Sequence, residues 1–576
     1  MVFLRLYRAV ALLIGCGVVL AALAVGDRTA PLPLPPTGEG VSGEAVLNQL
    51  RYLRTAFPSP LPGSPTERAL AQYIASQFEA DGFKVTFQRF VGGTPAGATR
   101  LTNVLATKAA ANGGAPIVVV AHHDSRLPEG GALAATAELL GLAKYLGQMQ
   151  TARPLVLAST SGGSGGFSGA AALTSRLAKA VLPAAAAPAA PSQEGEPAPP
   201  PARQQPVDAV LVIANPFGGV ALEPAAQAGP RLATTAASAL RANGLSARAV
   251  PSLPGAFGAL ALAPPPRESI VFADAGFPVA SFGSARERPS SGTEQRIAAV
   301  GNAVLATVQA LSTNPPPSGA TGELPLAGKE LPAWALRLFA AFAVAAAWLA
   351  AAGLLLSKGR GGRSAPASLS AASLLALPPF AAAGLLALVG ELGGAGALAA
   401  PSAEGGGLRV GTAGWLLVSG AALILLGGLA LAARWRRRLL GGEPVGLEPF
   451  AAAALLLTVA ATLLWFTQPA ASLVLVPTAL VLPLAAALRR RAASAAVVAL
   501  GLCPAVLLWL LTALSWPTGP LTVPVLFAAG YLSPFADLCW SIAFGGSLLA
   551  LAAPLRQPAS KRLEARLVPS VAASRR

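Results

Sequence analysis

The sequence predicts two parts: an α/β domain with a mixed, mostly parallel sheet flanked by helices, and an all-α polytopic transmembrane bundle. Three observations predict them. Over residues 26–331 short runs of β-formers alternate with helical periodicity, the pattern of a parallel-sheet domain. Over 332–555 apolar runs follow one another, each approaching the ~20 residues needed to cross the hydrocarbon core. Charge is divided between the same two regions. The 576-residue chain has a net charge of +17. Residues 26–331 hold 22 Lys and Arg against 19 Asp and Glu, leaving +3 there and +14 elsewhere. That excess flanks apolar runs, where it signals topology, so the composition argues against a nucleic-acid partner.

The elements of the first part follow in order. "GEAVLNQLRYLRTAF" (43–57) has helical spacing and is stopped by "PSPLPGSP". The next helix opens with Ser64 as N-cap, Pro65 in the first turn and Glu67 three residues on, a capping box, and ends near Asp81–Gly82. "KVTFQRF" (84–90) and "RLTNVLATK" (100–108) read as strands, and "APIVVVAHH" as a buried strand. A helix over 133–149, a strand over 153–160 and a Gly-rich turn "SGGSGGFSG" lead into a further helix. A Pro- and Ala-rich insertion (183–206) reads as disordered. "VDAVLVIAN" resumes as a strand, "SIVFADAGFPVASFGS" (269–284) follows, and a helix over 295–311 closes the domain.

Chemistry in such a sheet collects beyond the carboxyl ends of the strands. There the chain places His122, His123, Asp124 and Ser125, including the only two histidines in 576 residues. Successive strand residues point to opposite faces, so the two histidines are poor co-ligands unless the strand has already ended. Glu129 and Glu138 are the next carboxylates along the chain, the candidates for completing a donor set there. The three cysteines, Cys16, Cys503 and Cys539, lie in or beside apolar runs and supply neither a disulfide framework nor a zinc site to the soluble part.

Membrane spans are expected near 332–356, 369–391, 411–433, 448–466, 469–488, 493–515 and 536–554, after an N-terminal run, Ala9–Val25, behind Arg5 and Arg8. That run reads as an uncleaved signal anchor. "LIGC" before a lipidated Cys16 and cleavage after "ALA" are the alternatives. With the N-terminus inside, "SKGRGGR", "RWRRR", "RRR" and the six Lys and Arg after 555 all fall on the cytoplasmic side. "LTVPVLFAAGYL" (521–532) then reads as re-entrant or interfacial. The expected organisation is a signal-anchor span (1–28), an extracytoplasmic domain (43–315, residues 26–331 lying outside), a bundle of about seven spans (332–555) and a basic cytoplasmic tail (556–576), in a multi-pass cell (inner) membrane.

The order of elements over 43–312 resembles the co-catalytic zinc exopeptidases of the aminopeptidase Y type, the twenty-eighth metallopeptidase family. The resemblance rests on "FPSPLPGSPTERALAQYIASQFEADGFKV", "NVLA", "VVVAHHDS" and "AGFPVASF". It implies a zinc-exopeptidase-like fold, with His122 in the position of a metal ligand and Asp124 as its orienting neighbour. It also implies loss of the rest of the site. The bridging Asp falls on Ala134, the Glu–Glu pair of base and ligand on Gly162 and Gly163, the next Asp near Asn215, and the closing His near Arg288. Glycine cannot take a proton from water, and one His with one carboxylate is too few donors for zinc.

The expectation is therefore no catalytic residue and no cofactor, zinc being the alternative, with His122, His123, Asp124, Ser125 and Arg288 lining a candidate binding pocket. The Gly-rich turn is expected to be a flexible turn that fills the vacated space. The layout is similar to the attachment subunit of the glycosylphosphatidylinositol (GPI) transamidase, which implies holding a lipid-linked substrate, a peptide or a partner enzyme at the membrane. The bilayer and a protein in a membrane complex are the expected partners. An active membrane-bound zinc aminopeptidase with an unorthodox site is the alternative. A transporter-like bundle is disfavoured, because the spans hold few ionisable residues beyond Arg337 and Asp537. Pro378, Pro379, Pro477, Pro483 and Pro504 are expected to kink spans.

Overall fold

A computed structural model of the chain describes residues 2–27, 29–35, 40–94, 97–110, 114–125, 131–164, 166–179, 207–214, 216, 230–245, 253–261, 268–283, 294–314, 324–326, 329–356, 448–488, 490–515 and 534–556, with four positions between 419 and 427. The insertion at 183–206, the spans expected at 369–391 and 411–433 (those four positions apart), and the segments 521–532 and 557–576 lie outside the described residues.

The α/β part is built on a six-stranded sheet. Its strands are β2 (Lys84–Thr94), β3 (Gly97–Lys108), β4 (Ile117–His122), β5 (Leu155–Thr160), β6 (Ala209–Ile213) and β7 (Val279–Phe282), in the order β2-β3-β5-β4-β6-β7. β5, β4, β6 and β7 are parallel, and β2 and β3 add an antiparallel hairpin at one edge. The sheet is thus mixed and mostly parallel, as the alternation of elements predicts.

Side-chain parity divides the core. Ile117, Val119 and Ala121 enter the larger cluster with α2 (Gly43–Ala56), α3 (Pro65–Ala80), α4 (Gly131–Gln148), α6 (Pro230–Ala242) and α9 (Glu294–Thr313). Val118 and Val120 enter a second cluster with α5 (Ser168–Lys179) and α8 (Glu268–Asp274) on the other face.

Local signals in the sequence are used as read, with one displacement. Ser64 Oγ accepts from the Glu67 amide at 3.0 Å, and Pro65 occupies the first turn of α3. The Glu67 carboxylate reaches back to the amide of Gly63, at 2.7 Å, one residue before the N-cap. Gly82, at φ +87, takes the left-handed conformation just past α3 that glycine adopts without strain. β2 and β3 run longer than their apolar patterns because the Gly92–Gly93 stretch continues the ladder to Thr94↔Gly97.

The apolar part contains α1 (Val2–Ala24), α10 (Ala333–Leu356), α11 (Glu448–Thr467), α12 (Pro469–Ala487), α13 (Arg491–Ser515) and α14 (Pro534–Ala552). Five helices among the described residues are long and apolar enough to cross a membrane: Tyr7–Ala24, Ala333–Leu355, Pro449–Thr467, Pro469–Ala487 and Arg491–Leu510. The apolar part of α14, Leu538–Ala552, is shorter. α1 packs on α10, where Gly17 lies against Phe339 and Phe342.

A small sheet ties the two chain crossings together. β1 (Gly26–Asp27) pairs with β9 (Lys329–Leu331), which forms a hairpin with β8 (Leu324–Leu326). The end of α1 therefore lies beside the start of α10. Trp465 Nε1 donates to the carbonyl of Arg337 at 2.9 Å, bringing the end of α11 to that same level. Trp334 and Phe466, both exposed, lie there as well. Arg8 lies in the first half of α1, Arg491 begins α13 and Arg490 immediately precedes it, all away from that end.

Among the described buried groups of the α/β part that have atoms without a hydrogen-bond partner, Glu138 is the carboxyl with both oxygens in that state. Glu138 of α4 is fully buried against α9, where a Cβ on Gly301 would overlap its carboxyl group. It faces Gly301 and Val41, so it is not a carboxylate for the His122 region. Burial raises its pKa well above the ordinary carboxylate value. A raised folded-state value means that this group's contribution is fully present below the unfolded pKa, about 4.3, and is lost as pH rises through the folded value. In thermal melts of the detergent-solubilised protein, Glu138→Gln is expected to raise the midpoint at pH 8 and leave it nearly unchanged at pH 4. Equal shifts at both pH values would contradict this.

Candidate functional site

The site region lies at the carboxyl ends of β4 and β5, where His122 is in register with Thr160. β4 ends at His122, and the parity of the strand carries one residue further: the two histidines turn to opposite faces of the sheet and meet different acids.

On the α5–α8 face, His122 Nδ1 lies 3.3 Å from Glu268 Oε2, at the start of α8. The other oxygen of Glu268 accepts from the Thr160 hydroxyl. On the α3 face, His123 Nδ1 lies 2.9 Å from Ser159 Oγ, and its Nε2 lies 3.3 Å from Glu67 Oε1. The Ser161 hydroxyl also donates to Glu67. Burial alone would push the Glu67 carboxyl up. The hydrogen bond and charge of His123, with the donors Ser161 and Gly63, outweigh burial and hold it below its ordinary value.

Serine, histidine and glutamate together have the composition of a nucleophilic triad. Here Ser159, His123 and Ser161 are 0% exposed and Glu67 2%, so no substrate reaches them in this conformation. The arrangement gathers buried polar groups against one another.

Asp124, also 0% exposed, does not hold His122. Its Oδ1 accepts from the Gly163 amide and its Oδ2 from the Ser164 amide, both at 2.7 Å. The Gly-rich turn is a cradle of backbone donors occupied by the chain's own carboxylate. Gly162, at φ +82, supplies the left-handed residue of the turn. A Cβ on Gly163 would overlap the His122 ring. The β2–β3 hairpin closes over the turn: the Ser168 hydroxyl donates to the Gly93 carbonyl at 2.6 Å, and Leu101 lies against Gly162. The turn expected to be flexible is instead held in place from both sides, by the Asp124 carboxylate and by the hairpin.

Ser125 is buried and its amide donates to the Pro60 carbonyl at 2.9 Å, tying the end of the motif to the turn before α3. Ala134 lies on α4 with its methyl in the larger core, and Thr136 of the same helix donates to the His122 carbonyl at 3.0 Å. Asn215, Arg288 and Glu129 lie outside the described residues. The structure thus gathers His122, His123, Asp124, Ser125, Gly162 and Gly163 at one strand end, and adds Glu67 and Glu268. Glu67 was legible only as a helix cap. Glu268 had no local signal.

No protein-family model matches the sequence, and no curated protein does. Solved structures similar to the chain include a glutaminyl cyclase from an Acidobacteriales bacterium, at 16% identity over 49% of this chain and 99% of that one, TM-score 0.37. A leucine aminopeptidase precursor from Bacteroides thetaiotaomicron is 12% identical over 48% of this chain and 99% of that one, TM-score 0.35. A zinc aminopeptidase from Bacillus subtilis is 12% identical over 48% and 95%, TM-score 0.35. The fold described above stands on strand order and register.

The described residues do not fit a pair of zinc ions. Ala134, Gly162 and Gly163 carry no donor side chain. Both oxygens of Asp124 are taken by backbone amides, and His122 Nδ1 faces Glu268. Among the described residues no three His, Cys, Asp or Glu side chains converge as a metal site requires.

The contact between His122 and Gly163 can be tested directly. Gly163→Ala is expected to destabilise the protein by about 1–3 kcal/mol, the usual cost of overpacking. His122→Ala in the same chain is expected to recover most of that loss. A double-mutant cycle by thermal melts checks it, and additivity of the two losses would show that the two residues do not compete for space.

Proposed function

We propose that the chain is a membrane-anchored, non-catalytic peptidase-like protein that binds or positions a lipid-linked substrate, a peptide or a partner enzyme at the outer membrane face. One observation carries the reading: at Gly162 and Gly163, where the resemblance would put an acid pair, the His122 ring lies on Gly163, while Asp124 is spent on the amides of Gly163 and Ser164. A zinc-dependent hydrolytic site needs a base beside an activated water and a cluster of metal donors. This pocket spends its polar groups on one another.

The membrane placement is supported by the apolar helices and by aromatic residues, Trp334, Trp465 and Phe466, gathered at the bundle end nearest the small sheet. The basic residues Arg8, Arg490 and Arg491 belong to the other end, which supports a cytoplasmic N-terminus, with α1 as a signal anchor and the α/β domain outside. The likeness of layout to the GPI transamidase attachment subunit suggests the kind of role, a holder beside a separate catalyst.

The test uses the full chain purified in detergent. Elemental analysis is expected to find no stoichiometric zinc, and aminoacyl and N-terminal glutaminyl peptides are expected to remain unchanged. Two zinc ions per chain together with hydrolysis or cyclisation of those peptides would sink the reading and establish the active alternative.

A further inference from the structure

The helix α7 (Leu253–Ala261) belongs by sequence to the α/β domain, between α6 and α8, yet it does not pack in that domain's core. Ala256 and Ala261 are buried in the hydrophobic cluster of the bundle, and Phe257 and Leu260 pack against the same cluster. The helix contacts α12, α13 and β8, and a Cβ on Gly258 would stand 3.6 Å from Leu508 Cδ1 of α13. "LPGAFGALA" carries no charged residue. At nine residues it is about 14 Å long, too short to cross a bilayer. A short apolar helix leaving its own domain for another's core has a binding partner within the chain.

The chain beyond it leads to the site. α8 begins at Glu268, seven residues after Ala261. Glu268 holds both His122 and Thr160, while Phe272 and Ala273 of α8 pack into the core under the sheet. The bundle helices that receive α7 contain Pro477 and Pro483 in α12 and Pro504 in α13. Each proline removes one backbone hydrogen bond and marks a point of bending. The Thr478 hydroxyl donates to the Gly501 carbonyl at 2.9 Å, where the two helices approach closely.

We propose that α7 is a strap. It docks the α/β domain on α12 and α13 and ties the placement of Glu268 against His122 to the arrangement of those two helices. Among the described residues the strap is a further attachment between the two parts, beside those at α1 and α10, and the chain after it continues to Glu268. It does not depend on whether the pocket binds a metal or a ligand.

The test uses the full chain in native membranes, with Cys16, Cys503 and Cys539 replaced by alanine. Gly258→Cys with Leu508→Cys is expected to cross-link on copper-phenanthroline oxidation, seen as a linked peptide by mass spectrometry. Gly258→Cys with Val91→Cys, on the edge strand, is expected not to. Absence of the first link, or equal yields for both pairs, overturns the docking. In the wild-type background, Phe257→Asp is expected to speed amide exchange in α8 about tenfold and leave α3 unchanged. Unchanged exchange in α8 overturns the coupling.

Discussion

The His122 ring and the Gly163 backbone share one small space at the end of the parallel strands, and the contact leaves no room for a side chain at 163. With glycine there, the turn can bring its amides down onto Asp124, which accepts two of them. With Asp124 held by the turn, His122 takes its partner from another element, and Glu268 supplies it. Most of the pocket follows from that one close approach. A side chain at 163 would push the imidazole aside and open the Asp124 cradle with it.

Strand parity then doubles the requirement. Because β4 runs straight into two histidines, one points to each face of the sheet, and both are buried. Burying a polar ring without a partner is costly, so each face contributes an acid and a hydroxyl: Glu268 with Thr160, and Glu67 with Ser159 and Ser161. Glu67 also caps the Gly63 amide, so a helix start and a buried histidine are stabilised by one carboxylate. Glu138 shows the contrasting case. Its carboxyl lies fully buried, and the raised pKa is the physical consequence.

The two parts of the chain are joined by more than their linkers. The β1–β9 pairing brings the end of α1 beside the start of α10, and α7 places apolar side chains of the α/β domain in the core of the bundle.

The sequence by itself determined the alternation of elements, the apolar runs, the opposite facing of His122 and His123, and the lack of a donor side chain at Ala134, Gly162 and Gly163. These are properties of single residues and of local periodicity, which a sequence states directly. It also showed Ser64, Pro65 and Glu67 as a helix start, since capping is a contact between near neighbours. Only the tertiary structure decided where those groups are spent. Glu268 lies 146 residues from His122 and carries no motif, so nothing local marks it as that histidine's partner. The Gly-rich turn reads as filler until the fold places the Asp124 carboxylate beneath its amides. Likewise, "LPGAFGALA" is an ordinary apolar stretch until packing assigns it to the bundle. Each of these depends on which distant surfaces the folded chain brings together, and residue type and spacing do not encode that singly.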